Sequence, residues 1–214
     1  MANKAKEETI SLYIKSGWKS IFSHIRFWDA PLVEVEKLIP KKGIITELGC
    51  GDGIFSNYLA VSAPGRQVLG IDIDKNRITV ADKGLKNTKY VFGDIRKITI
   101  PLSDTLILFH VLHHLGSHKE QEGLIRACKR KLKKNGVLLI VEIHMVPSFK
   151  YALGWFFDHF LVPVFFEKRL YSKIYYRTEK GWQKLLKDIG FSTHVVNLTS
   201  GKPISNIAII GKNE

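Results

Sequence analysis

Apolar and polar positions fall into two regimes along the 214 residues. Between Ile44 and Val141, short continuous apolar runs alternate with stretches whose apolar side chains recur every three or four positions. The continuous runs read as strands buried on both faces, the mark of a parallel sheet, and the periodic stretches as amphipathic helices. This pattern predicts strands over about 44–48, 67–73, 88–92, 104–110 and 137–143. It predicts helices over about 54–62, 75–85 and 118–134, the last stopped by Asn135-Gly136 in the manner of a C-cap. Strand–helix repetition produces right-handed crossovers, so the expected fold class is α/β, a doubly wound Rossmann-like sheet with helices on both faces. Residues 5–26 and 31–39 read as helices split by Asp29-Ala30-Pro31, and a capped helix follows Thr178 with a stop at Gly190. Two further strands, about 192–198 and 204–211, close the chain.

Composition narrows the class. Apolar residues make up 45% and charged residues 25%, ordinary for one globular domain with a substantial core. The only cysteines, Cys50 and Cys128, do not form a disulfide scaffold and fit a reducing, cytoplasmic setting. The polar N-terminus lacks the apolar core of a signal peptide, and no uncharged apolar stretch is long enough to span a bilayer. The formal charge of +13 attracts phosphates on nucleic acid, anionic lipid or a phosphorylated small molecule, and a generally basic proteome gives the same balance.

The densest motif is Glu47-Leu48-Gly49-Cys50-Gly51-Asp52-Gly53, placed between a predicted strand and a predicted helix. Alternating glycines permit a tight turn and the close approach of a ligand, and the helix start points free N–H groups at the same spot. The spacing is not that of a dinucleotide fingerprint, and no Gly-Lys-Ser/Thr follows to make a phosphate loop. It resembles the cofactor loop of class I S-adenosylmethionine-dependent methyltransferases. Three later strand ends carry the resemblance on: Gly70-Ile71-Asp72, 19 residues beyond Gly53; Phe92-Gly93-Asp94-Ile95; and Phe109-His110-Val111-Leu112-His113-His114-Leu115. It is strong over about 40–145 and looser over 178–211.

The resemblance implies a seven-stranded sheet, five strands parallel and the last two an antiparallel hairpin, with S-adenosyl-L-methionine as cofactor. Gly49, Cys50, Gly51 and Gly53 would form its turn. Asp72, with Ile73 beside it, would hold the ribose, although Asp74 lies close and an Asp there also serves as a helix cap. Asp94 would take the adenine amino group and Ile95 pack on the ring, with Phe109 ending the fourth strand nearby. Glu47 would orient the methionine ammonium, or receive N–H groups of the turn, or both.

Methyl transfer is an in-line displacement, so a base is needed only where the acceptor must lose a proton. Histidines at strand ends suit that task near neutral pH, and His110 and His144 are the preferred catalytic candidates over His113 and His114. No metal-ligand spacing accompanies them. The fourth strand does not end in Asn/Asp-Pro-Pro-Tyr, and no Pro-Cys pair is present, which argues against the commonest nucleic-acid base methylators.

The expected organisation is one domain: an N-terminal helical cover (1–40), a cofactor core (41–145), an aromatic-rich acceptor lid (146–178), and a C-terminal helix and hairpin (179–214). The lid's aromatic and basic residues suit a small-molecule or lipid-like acceptor, an anionic membrane surface, stacked RNA bases, or simple burial in the core. The leading expectation is methylation of a small or lipid-like acceptor. RNA methylation and non-catalytic cofactor binding are the alternatives. A basic cluster from Arg126 to Lys134 reads as a solvated helix end facing away from the cofactor.

Overall fold

The computed structural model describes residues 2–14, 18–145 and 174–214. Most of the expected acceptor lid therefore lies outside the described residues, as does Lys15. The elements in chain order are α1 (Ala2–Ser11), α2 (Trp18–Asp29), α3 (Leu32–Glu36), β1 (Lys42–Leu48), α4 (Ile54–Ser62), β2 (Gly65–Asp72), α5 (Lys75–Ala81), β3 (Thr88–Phe92), β4 (Ser103–Phe109), α6 (His118–Lys131), β5 (Leu132–Ile143), α7 (Glu179–Asp188), β6 (Ser192–Asn197) and β7 (Asn206–Lys212).

One seven-stranded sheet runs β3-β2-β1-β4-β5-β7-β6. β1 pairs in parallel with both β2 and β4, while β7 pairs antiparallel with β5 and β6. The expected doubly wound sheet with a C-terminal antiparallel hairpin is the one observed. The strands are apolar on both faces because each face is covered. Ile45, Val68, Ile107, Leu139 and Val141 face a core closed by α4 and the N-terminal helices. Leu48, Ile71, Leu106, Leu138 and Ile140 face a second core closed by α6 and α7. Each such side chain contributes about 1.5–3 kcal/mol when fully buried.

The N-terminal cover is fastened by a buried cation. Arg66 at the start of β2 is fully buried, and its guanidinium reaches Glu36 (2.9 Å) and the carbonyls of Pro40, Leu59 and Ile39 (2.7–3.0 Å). Five donors in a fixed fork let one side chain satisfy carbonyls from α3, α4 and the link between them.

Several helices are shorter than their periodicity predicts. α6 stops at Lys131, because Leu132 turns extended, buries its side chain and pairs with Ser103. Asn135, expected as a helix stop, is left-handed (φ 62°) but donates its N–H to the Asn213 carbonyl, while the Asn213 N–H donates to the Gly136 carbonyl. α5 ends at Ala81 because Asp82 is already extended. The segment read as one helix over 5–26 is two, since Tyr13 leaves the helical path for the core. No helix among the described residues is long and apolar enough to cross a membrane.

Candidate active site

β1 is the point where strand order reverses, with β2 on one side and β4 on the other. Parallel α/β sheets open a crevice beyond the carboxyl ends of their strands at such a point. The glycine turn lies there. Gly49, Gly51 and Gly53 have φ of 81°, 54° and 72°, values L side chains rarely adopt. A Cβ on Gly49 would run into Val111, and one on Gly51 into the Arg77 guanidinium. The turn is hung from β2: the N–H groups of Gly49 and Cys50 both donate to the Ile71 carbonyl, at 2.7 and 3.0 Å. Gly53 is the N-cap of α4 and offers no side chain to its first turn.

Asp72 ends β2, buried (7% exposed), with Oδ2 accepting from Gly51 N (2.7 Å) and Oδ1 from Asp74 N (2.9 Å). A carboxylate has about four acceptor positions, so acceptor capacity is left on both oxygens. Asp74 instead caps α5, accepting from Asn76 N and Arg77 N. Ile73, between them, is 50% exposed, an apolar side chain held out beside the turn. Asp94 is chelated by Arg96, whose Nη2 lies 2.7 Å away, and those hydrogen bonds hold its carboxyl below the usual range. Ile95 is buried.

Glu47, the last residue but one of β1, is 3% exposed and accepts from Ser56 Oγ at 2.5 Å. Burial pushes its carboxyl up to about 7, against the Ser56 bonds and the charge of Arg26, with Asp72 raising it further. A carboxyl that titrates near 4.5 unfolded and about 7 folded contributes stability below pH 4.5 that is lost as pH rises through about 7. The loss amounts to about 3 kcal/mol. Glu47→Gln is accordingly expected to match the wild type near pH 4 and to be more stable by up to about 3 kcal/mol at pH 8. Urea unfolding across that range reads the difference, and parallel curves for the two proteins would contradict it.

The histidines separate by partner. His110 has a left-handed backbone (φ 53°), and its Nε2 lies 2.7 Å from Asn206 Oδ1. Burial, then the nearby charges of Arg26 and His113, lower its proton affinity well below the ordinary value. His113 is fully buried; its Nδ1 bonds Glu142 Oε2, while Glu142 Oε1 accepts Leu112 N at 3.0 Å. Its ring stacks on Tyr176 and its carbonyl accepts Tyr175 N at 2.9 Å, which ties the returning chain to the turn after β4. His144 Nε2 lies 3.5 Å from Glu179 at the start of α7. Phe109 is buried, edge-on to Phe55 (5.2 Å), with the Arg26 guanidinium 5.9 Å above its ring.

Several contributors escape sequence reasoning. Behind the turn, Tyr13 donates to the Asp52 carbonyl (2.7 Å), Asn57 Nδ2 donates to Tyr13 and to Ala81 O, and Tyr90 donates to Asn57 Oδ1 (2.8 Å). This buried network ties the turn after α1, together with α4, α5 and β3, to the glycine turn. Arg26, Glu142 and Asn206 also emerge only once strand ends are placed side by side. The basic cluster sits at the other edge: α6 runs directly into the start of β5, whereas the turn follows the end of parallel β1. Within it, Arg126 pairs with Glu122 and Lys133 with Asp104 (2.8 and 2.9 Å), and Lys129 donates to the Gly190 carbonyl.

Residues 46–140 match a family model described as a methyltransferase domain. The chain is 28% identical to a desmethylxanthohumol 6'-O-methyltransferase of Humulus lupulus, over 71% of this chain and 42% of that protein. It is 30% identical to the ribosomal RNA small subunit methyltransferase C of Acinetobacter baylyi, over 64% of this chain and 43% of that one. The chain spans about half the length of the curated relatives it matches. Among solved structures, magnesium protoporphyrin IX methyltransferase from Synechocystis PCC 6803 with bound S-adenosylhomocysteine superposes with a TM-score of 0.65. That match covers 86% of this chain and 82% of the other at 19% identity, a likeness of fold. Strand order, glycine turn and the match over residues 46–140 agree: this segment carries the features of a methyltransferase domain, and the fold is the Rossmann-like fold of class I S-adenosylmethionine-dependent methyltransferases.

Proposed function

We propose that the carboxyl edge of β1, β2 and β3 binds S-adenosylmethionine and that the protein methylates a small-molecule acceptor. One observation carries the reading: an uncapped glycine turn opens beside the buried carboxylate of Asp72 and the exposed side chain of Ile73. Those residues fit a ligand with a ribose diol and a flat apolar base. Asp72 would accept the ribose hydroxyls, Ile73 and Ile95 line the adenine, and Asp94 accept its amino group. Glu47 would face the methionine ammonium. The cofactor supplies an electrophilic methyl group on a sulfonium. The chain supplies position, and His110, uncharged at neutral pH, accepts a proton where the acceptor is a hydroxyl. His144 is second to it, being paired with Glu179. A small acceptor is favoured because Arg26 lies over Phe109 next to His110, while the basic cluster lies at the opposite edge.

An ammonium beside Glu47 favours the ionised carboxylate. Cofactor affinity is therefore expected to rise between about pH 6 and about pH 7.5, with proton release on binding. Calorimetry in two buffers of different ionisation enthalpy measures that release, and a heat independent of buffer would contradict it.

Transfer of a radiolabelled methyl group to a panel of phenols and hydroxyquinones, set beside total RNA, tests the function. Label in one class of small acceptor is the expected result. Label in RNA, lost steeply with added salt, would replace the reading with RNA methylation. Cofactor binding with no label in either would point to a non-catalytic binding protein.

A further inference from the structure

We propose that Asn206 is a positioning residue that holds His110 as the tautomer protonated on Nε2, so that Nδ1 is the atom that takes the acceptor's proton. The last clause rests on His110 being the base; the tautomer itself does not. Asn206 opens β7, fully buried, opposite Ile143 of β5. Its Nδ2 donates to the Ile204 carbonyl at 3.0 Å. That bond decides which end of the amide faces His110, since a flipped amide would set two oxygens against each other. The end presented to His110 is Oδ1, 2.7 Å from Nε2. An amide oxygen only accepts, so Nε2 must carry the hydrogen, and a neutral imidazole then has its lone pair on Nδ1.

The ring has little room to reorient. The His110 N–H is fixed to the Val141 carbonyl at 2.9 Å, directly after the last paired residue of β4, and its backbone is left-handed (φ 53°). The charged or titratable groups acting on it are Arg26 from α2 and His113 from the turn after β4; Glu47 on β1 shares the field of Arg26. Both neighbours of His110 disfavour a second proton on the resting ring, which leaves Nδ1 open. In the reaction, Nδ1 takes the acceptor's proton as the acceptor oxygen bonds the methyl carbon and the electron pair of the broken carbon–sulfur bond stays on sulfur. The imidazolium formed still donates from Nε2 to Asn206, so the bond survives the proton transfer.

The test is a long-range proton–nitrogen correlation spectrum of the full chain with nitrogen-labelled histidines at neutral pH, His110 being assigned by the signal lost in His110→Gln. The expected spectrum shows a protonated Nε2 and a bare Nδ1, and a proton on Nδ1 would overturn the proposal. In Asn206→Leu the ring is expected to become a tautomer mixture, with kcat lower by about tenfold and cofactor affinity unchanged. An unaltered ring spectrum in that variant would remove Asn206 from the role. Should Asn206→Leu not fold, Asn206→Asp keeps an acceptor for Nε2–H and adds a charge. It is expected to preserve the tautomer and to move the acidic limb of the pH profile upward, and an unmoved limb would count against the proposal. Full turnover in His110→Gln together with the expected tautomer would sink only the reading of His110 as base.

Discussion

Glu142→Ala is expected to cost about 3–5 kcal/mol of folding stability, a large part of the about 5–15 kcal/mol that keeps a native domain folded. Glu142 is buried near the end of β5, directly after the apolar run Val137–Val141, and its two oxygens hold Leu112 N–H and the His113 ring. Removing the carboxylate strands two donors where water cannot replace it, at about 1–3 kcal/mol each, and leaves a cavity besides. For a chain of this length the melting temperature should fall by about 10 °C or more. The damage reaches the site, because His113 also carries Tyr175 and Tyr176, where the chain re-enters the fold. Glu142→Gln keeps one acceptor for Leu112 N–H and should lose about half as much. Thermal unfolding of the two variants measures this; equal, small losses would mean that the pair contributes little to the fold.

Gly53→Ala is expected to destabilise the fold by about 2–4 kcal/mol and to abolish cofactor binding, whereas Gly51→Ala should fold almost normally. Both positions are left-handed, so a methyl group costs about 1–2 kcal/mol of backbone strain at either. The difference is what the methyl meets. At Gly53 it would lie 2.6 Å from Ala81 Cβ and 3.0 Å from Ala81 Cα, atoms of a packed helix that cannot swing aside. At Gly51 it meets the end of the Arg77 side chain, which can move. Unfolding midpoints and ligand calorimetry on the two variants separate the effects, and an equal loss of stability would show that packing of α5 against the turn does not matter.

Local chemistry made much of this legible in advance. Helix 54–62 and strand 88–92 appear at their expected bounds because each is closed by a turn written in its own residues. The parallel sheet follows from continuous apolar runs alternating with amphipathic helices, and the glycine turn announces itself by spacing. What was hidden depends on distance along the chain. Tyr13, Asn57 and Tyr90 meet behind the turn from 33 to 44 residues apart, and nothing in the neighbourhood of any one names its partners. Glu142 sits in a run of apolar residues, and nothing near it in sequence points to His113, 29 residues away, whose ring it holds. Asn206 falls inside the strand predicted over about 204–211, and its role emerges only where β7 lies beside β5 and its amide reaches His110. Helix ends failed for a related reason: α6 could continue on propensity, but Leu132 gains more by burial and a strand pair.

The central claim is that Asp72 and the glycine turn form a cofactor site. Calorimetric titration of the wild type and Asp72→Asn with S-adenosylhomocysteine tests it most directly, with thermal unfolding as the check on folding. Asn keeps one acceptor oxygen for the turn but loses the charge and the second oxygen. The account predicts micromolar binding by the wild type and a loss of tenfold or more in the variant, about 1.4 kcal/mol. A folded wild type that does not bind, or a variant that binds equally well, would contradict it.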